Sequence, residues 1–157
     1  MLAIVWHSRT GAARAMAAAI AQGAGEQGVL LGAAEAMPAI LLGASGYIFV
    51  CPENLGSMSG LMKEMFDRCY YPMLGRVEGR PYATAIAAGS DGAGAQAQID
   101  RIVTGWRLKR VAPPLIVNLG AQTPEQIRAE KTVSDQNLAA CRRLGEAFGE
   151  GLGLGIF

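Results

Sequence analysis

The sequence predicts an α/β protein built on an open parallel sheet with helices on both faces. Three observations predict it. Short apolar runs occur at Leu2–Trp6, residues 46–51 and residues 82–88, helical periodicity fills the intervals between them, and a polar loop containing Gly follows each run. The 157 residues are 51% hydrophobic and 17% charged with mean hydropathy +0.23, the size and composition of one packed domain spanning residues 1–157.

The elements come in order along the chain. Leu2–Trp6 reads as a strand buried on both faces and ends at His7-Ser8-Arg9-Thr10-Gly11. Residues 13–24 are Ala-rich, with Met16, Ile20 and Ala24 four apart, which predicts a helix stopped by Gly25 and Gly28. Residues 29–33 are a second strand, and Pro38 opens a short helix through Leu42. Residues 46–51, aromatic and β-branched, form the clearest strand, closed by Pro52. Beyond a polar loop, Met58, Leu61, Met62, Met65, Phe66 and Cys69 make a helical stripe that ends before Pro72. Residues 82–88 are a strand, followed by a helix marked by Ile99, Ile102, Val103 and Trp106. Residues 111–117 fit a last, edge strand that tolerates Pro113 and Pro114. Ser134 or Thr132 caps a final helix carrying Leu138, Cys141, Leu144 and Phe148.

Composition excludes several classes. Lys and Arg total 14 against 13 Asp and Glu, a formal charge of +1, so there is no cationic surplus for nucleic acid. The same balance lacks the strong acidity of a carrier steered onto basic redox partners. Cys51, Cys69 and Cys141 are an odd, widely spaced set, which argues against a disulfide scaffold or zinc knuckle and suits a reducing, cytoplasmic setting. Residues 36–52 carry no charge but fall short of the roughly 20 apolar residues of a bilayer span, so no membrane partner is expected. The first residues lack the basic region of a secretory signal.

In open parallel sheets ligands bind beyond the carboxyl ends of the strands. Three loops there are rich in Gly and polar groups: residues 8–13, 52–60 and 89–94. In the first, Ser8, Thr10 and Gly11 precede a helix whose N–H groups and dipole suit a phosphate, and Arg9 adds charge. An ordinary N-cap is the alternative reading. The Gly-Lys-Ser/Thr ending of a nucleotide P-loop is missing.

These segments resemble the flavodoxin-like FMN-binding family, in particular its NAD(P)H-dependent FMN and quinone reductase branch. Ser8-Arg9-Thr10-Gly11 is similar to that family's phosphate loop, although Ala12 and Ala13 stand where another hydroxyl is common. Residues 51–60, Cys-Pro-Glu-Asn-Leu-Gly-Ser-Met-Ser-Gly, are similar to its flavin-ring loop, and Gly89-Ser90-Asp91-Gly92 stands where a third flavin loop lies. The resemblance implies a five-stranded parallel sheet in the order 2-1-3-4-5 and non-covalent FMN. It implies NAD(P)H as transient donor, a flavin, quinone or similar small-molecule acceptor, and a homodimer or homotetramer. The cofactor-binding residues it implies are Ser8, Arg9, Thr10, Gly11, Ala12 and Ala13 in the first loop. In the second they are Pro52, Glu53, Asn54, Leu55, Gly56, Ser57 and Met58, and in the third Gly89, Ser90, Asp91 and Gly92. An electron carrier without turnover and a cofactor-free interaction domain of the same fold are the alternatives.

A flavin ring needs an apolar slot and donors at its polar edge, and donors there favour two-electron chemistry without a catalytic acid from the protein. Other motifs have plainer readings. His7, the only histidine, ends a strand and reads as a hydrogen-bonded ring; Cys51 reads as packing. Glu53 and Asp91 read as loop acids rather than a catalytic pair. Residues 92–97 match a G-x-G-x-x-A dinucleotide fingerprint, but no acid stands about 20 residues on, so small residues at a tight turn explain it better. Arg107, Lys109 and Arg110 suit a helix C-terminus. The tail 152–157 is expected at an interface.

Overall fold

The computed structural model describes residues 1–157. Five rungs of parallel sheet run β2–β1–β3–β5, then a last rung shared by two short strands. These are β1 (Leu2–Trp6), β2 (Gly28–Gly32), β3 (Gly46–Asn54), β5 (Pro81–Ala88), β6 (Lys109–Arg110) and β7 (Leu115–Asn118); a two-residue β4 (Ser57–Met58) folds back antiparallel on β3. The rung order is the expected one, in a sheet of seven strands. The expected strand over 111–117 is the main revision. β6 pairs with the start of β5 and β7 with its end, and Pro113 and Pro114 lie in the break because neither can donate to the ladder.

β3 also runs past Pro52 to Asn54. The Val50 carbonyl accepts the His7 N–H, so Pro52, two residues on, faces the side where β1 has already ended. Its missing N–H leaves no acceptor stranded, and it still sits in register with Ala87.

Side chains alternate between two cores. Ala3, Val5, Tyr47, Phe49 and Cys51 face α2 (Pro38–Leu42), α3 (Gly60–Met73) and α4 (Ala93–Gly105), where Phe49, Phe66 and Trp106 form a chain of tilted rings. Leu2, Ile4, Ile48 and Val50 face α1 (Ala12–Ala24) and α6 (Asp135–Gly153). The backbones of α1 and α6 touch: a Cβ on Gly23 would lie 1.9 Å from the Arg142 carbonyl oxygen, and one on Gly145 would lie 1.9 Å from that of Ile20.

Other boundaries shift. Met58 belongs to β4, and α3 holds Pro72 in its last turn, one residue from its end. α4 stops at Gly105, so Lys109 and Arg110 are strand residues; the Arg110 guanidinium pairs with Asp100 and lies over the Tyr82 ring. Ser134 caps α6, its Oγ accepting from the Asn137 N–H. A short helix not anticipated from sequence, α5 (Pro124–Arg128), precedes it. At the tail, Phe157 folds back on Phe148, while Leu154 and Ile156 stay exposed. No helix is long and apolar enough to cross a membrane.

Candidate functional site

The carboxyl ends of β1, β3 and β5 open onto a cavity of about 710 Å3, within the usual size of small-molecule sites. One wall is the turn from β1 into α1: Ser8, Arg9, Thr10, Ala12 and Ala13. A second is Pro52 to Gly56, and the floor is Ala87 to Ser90. Ile127, Arg128 and Lys131, at and just beyond the end of α5, close the remaining side with Leu119 and Ala121.

The first wall is an open helix end. Gly11 precedes α1 with φ 98° and ψ −24°, the Ser8 Oγ accepts its N–H at 3.1 Å, and no side chain caps the helix. No acid occupies the first turn, so the N–H groups of the buried Ala12 and Ala13 have no helical acceptor. The Thr10 carbonyl accepts the Lys131 N–H at 2.7 Å, which brings the segment after α5 against the loop.

The second wall is a hairpin. Glu53 pairs with Met58 and Asn54 with Ser57, and Leu55 (φ 53°) and Gly56 (φ 72°) form the two-residue turn. Positive φ at both central positions is the type I′ arrangement, easy for Gly and strained for Leu. Leu55 is fully exposed and lines the cavity. The hairpin is tied to α4: the Glu53 carboxylate accepts the N–H of Gly92 at 2.9 Å and of Ala95 at 3.0 Å, and the Gln98 Oε1 accepts the Met58 N–H at 2.8 Å. A Cβ on Gly94 would lie 2.0 Å from the Gly56 carbonyl oxygen, so only glycine lets the two backbones meet. The G-x-G-x-x-A segment is thus a packing and capping device.

His7 and Ser59 join the two walls, Nδ1 to Oγ at 2.8 Å. Burial, aided by the Arg9 charge, lowers the His7 pKa. Cys51 is buried among apolar neighbours, and burial pushes its thiol up to about 12, which fits packing and not a redox thiol.

The structure brings most of the residues named from sequence to one cavity: Ser8, Arg9, Thr10, Ala12, Ala13, Pro52, Glu53, Asn54, Leu55, Gly56, Gly89 and Ser90. Gly11, Ser57, Met58, Asp91 and Gly92 are outside its lining. Gly11 faces a neighbouring cavity, and Asp91 caps locally, accepting the Ala93 N–H at 3.3 Å. Sequence reading missed Ile127, Arg128 and Lys131. Thr123-Pro124-Glu125-Gln126 carries the signal that would have located them, a capping box with Pro at the first helical position.

Residues 30–123 match the family model described as NADPH-dependent FMN reductase. No curated protein sequence matches the chain. A flavodoxin from the domain Archaea shares the fold with TM-score 0.76 at 19% identity, over 98% of this chain and 99% of that one. A flavodoxin, WrbA-like protein from Agrobacterium tumefaciens superposes with TM-score 0.71 at 21% identity over 95% and 94%. An NADPH-quinone reductase from P. pentosaceus gives 0.67 at 16% over 92% and 97%. At these identities the structural likeness shows the fold.

Proposed function

The chain belongs to the NADPH-dependent FMN reductase family, and on that premise we propose that it passes hydride from NAD(P)H, through FMN held in the 710 Å3 cavity, to a flavin, quinone or similar small acceptor. The observation that carries this reading is the uncapped start of α1. Buried N–H groups there face a cavity flanked by Arg9, Arg128 and Lys131, and no protein carboxylate caps them, the Glu130 carboxylate beside Gly11 accepting from none. That donor set fits a phosphate dianion. Pro52, Leu55, Ala87, Ala88 and Leu119 supply apolar surface for a flat ring, with no aromatic residue among the lining.

When bound, FMN supplies hydride transfer at its ring N5. The chain's own work is positioning and exclusion. Ser8 holds the loop through the Gly11 N–H, and the α4 contacts fix the hairpin, which is where ring-edge donors belong. His7 is kept hydrogen-bonded to Ser59, so no residue is assigned as proton donor.

The test is an FMN titration followed by anaerobic addition of NADH or NADPH. Retained flavin that one nicotinamide bleaches directly is the expected result. Flavin bound but bleached by neither would leave the electron carrier, and no binding would leave the cofactor-free domain. Initial rates at varied donor and acceptor should give parallel double-reciprocal lines; intersecting lines would remove the two-step exchange.

A further inference from the structure

The sheet has two edges, and the chain treats them differently. The last rung is split into β6 and β7, carries Lys109 and Arg110, and is interrupted at Pro113 and Pro114, all devices that keep an edge from pairing with another molecule. β2, at the opposite edge, has none of them. Its sequence is Gly-Val-Leu-Leu-Gly, no charge or proline lies between Glu26 and Glu35, and Val29 and Leu30 are exposed. The Ala33 N–H donates to the Trp6 carbonyl, so the odd residues of β2 turn their backbone groups to β1, and Gly28, Leu30 and Gly32 turn theirs outward. Two of those outward groups are satisfied within the chain: the Gly28 N–H donates to the Gly25 carbonyl, and the Gly32 carbonyl accepts from Glu35 and Ala36. Left over are the Leu30 N–H and carbonyl, the Gly28 carbonyl and the Gly32 N–H.

That remainder is complementary to itself. We propose that β2 pairs antiparallel with β2 of a second copy of this chain, about a twofold axis at Leu30, joining two sheets into one. In this register the two Leu30 residues exchange both backbone bonds, and each Gly32 N–H donates to the Gly28 carbonyl of the other copy, which uses every leftover group and no engaged one. Moving the axis one residue, to Val29 or Leu31, would aim Leu30 at the engaged Gly28 N–H or Gly32 carbonyl. Charge agrees. Past the strand ends Glu26 falls opposite Ala34 and Glu35 opposite Gly25, so no like charges face each other. The strands alone fall short of the roughly 800 Å2 per partner of a standard interface. Met37 and Ile40, exposed at α2, add apolar surface on the flank that Leu31 faces. Such a pairing is isologous and closes at two copies, and the far edge, broken by its prolines, stops further growth.

Sedimentation velocity on the full chain across the micromolar range, with and without FMN, should show a species of twice 16.4 kDa whose share rises with concentration. A chain that stays monomeric throughout overturns the proposal and leaves the edge to an extended peptide of another protein. Leu30→Lys keeps the backbone donors of β2 but sets like charges on the axis, and should weaken the dimer at least about tenfold. A dimer indifferent to that change lies on another surface, and the proposal fails. Cys51, Cys69 and Cys141 are buried, so an introduced thiol reports alone. In Leu30→Cys the two altered residues meet on the axis with Cα atoms about 5.5 Å apart, and mild oxidation should link the chains. Val29→Cys stands opposite Leu31 of the second copy and should not link. A dimer that neither change links, or that Val29→Cys links in preference, has a different interface or register and overturns the proposal. Should Leu30→Lys fail to fold, the cysteine pair decides.

Discussion

α1 and α4 begin in nearly the same way, each after a glycine in the left-handed region: Gly11 at φ 98°, ψ −24° and Gly92 at φ 96°, ψ −15°. Their surroundings differ. Across the start of α4 lies the Glu53 carboxylate, on the N–H groups of Gly92 and Ala95; at the start of α1 the nearby Glu130 carboxylate accepts from no helix N–H. A helix N-terminus attracts negative charge wherever it occurs. The protein satisfies one with its own acid and leaves the other uncapped beside the cavity, and it is on this asymmetry that the proposed flavin site rests.

The sharpest way to break the contrast is to give α1 an anion of its own. Ser8→Asp should accept the Gly11 N–H as serine does, keep the thermal midpoint of the flavin-free chain, and weaken FMN by more than about a hundredfold through like-charge apposition. Calorimetry on the variant checks it, and unchanged affinity would mean the phosphate sits elsewhere. Next in size is Gly94→Ala. Its Cβ would collide with the Gly56 carbonyl, so the hairpin must move, with a loss of about 1–3 kcal/mol, several degrees in Tm, and weaker flavin binding. A smaller effect is expected for Glu53→Gln, which keeps one acceptor and loses the charge. It should lower stability by about 1 kcal/mol in urea denaturation, with FMN affinity changed less than by Ser8→Asp.

A separate effect is alkaline. The Cys51 thiol is pushed up to about 12 by burial, so the folded chain holds that proton more tightly than the unfolded one, whose thiol ionises near its ordinary value of 9.0. Its contribution to stability is therefore whole below about pH 9 and is lost as pH rises toward 12. Cys141, pushed up to about 11, adds to the same trend. Denaturation midpoints measured from pH 7 to 11 should fall above 9, and fall less in Cys51→Ala. FMN affinity should show no such dependence on the thiol.

The alternation of apolar runs and helices made the parallel sheet and its loop-bearing rim legible in the sequence, because each run and each stripe is a local pattern; the rung order came from the family resemblance. The features that escaped depend on distance. Pro52 ends a strand by any local rule, and stays within β3 only because β1 has stopped beside it. Glu53 looks like a loop acid until the fold brings α4, about 40 residues on, beneath it. Arg128 and Lys131 reach the cavity through the long return from β7, and nothing in their own neighbourhood announces a ligand, although the Thr123 capping box does announce the helix that carries them there.

The seam between α1 and α6 has a bearing on the binding end. Since backbone meets backbone at Gly23 and Gly145, with no side chain between to cushion the joint, α1 cannot slide along its axis without dragging α6 with it. Its front end, about three turns away, therefore keeps a fixed height above the sheet. Any β-carbon added at residue 145 would be felt as a misplaced anion seat, although the altered atom touches no ligand at all.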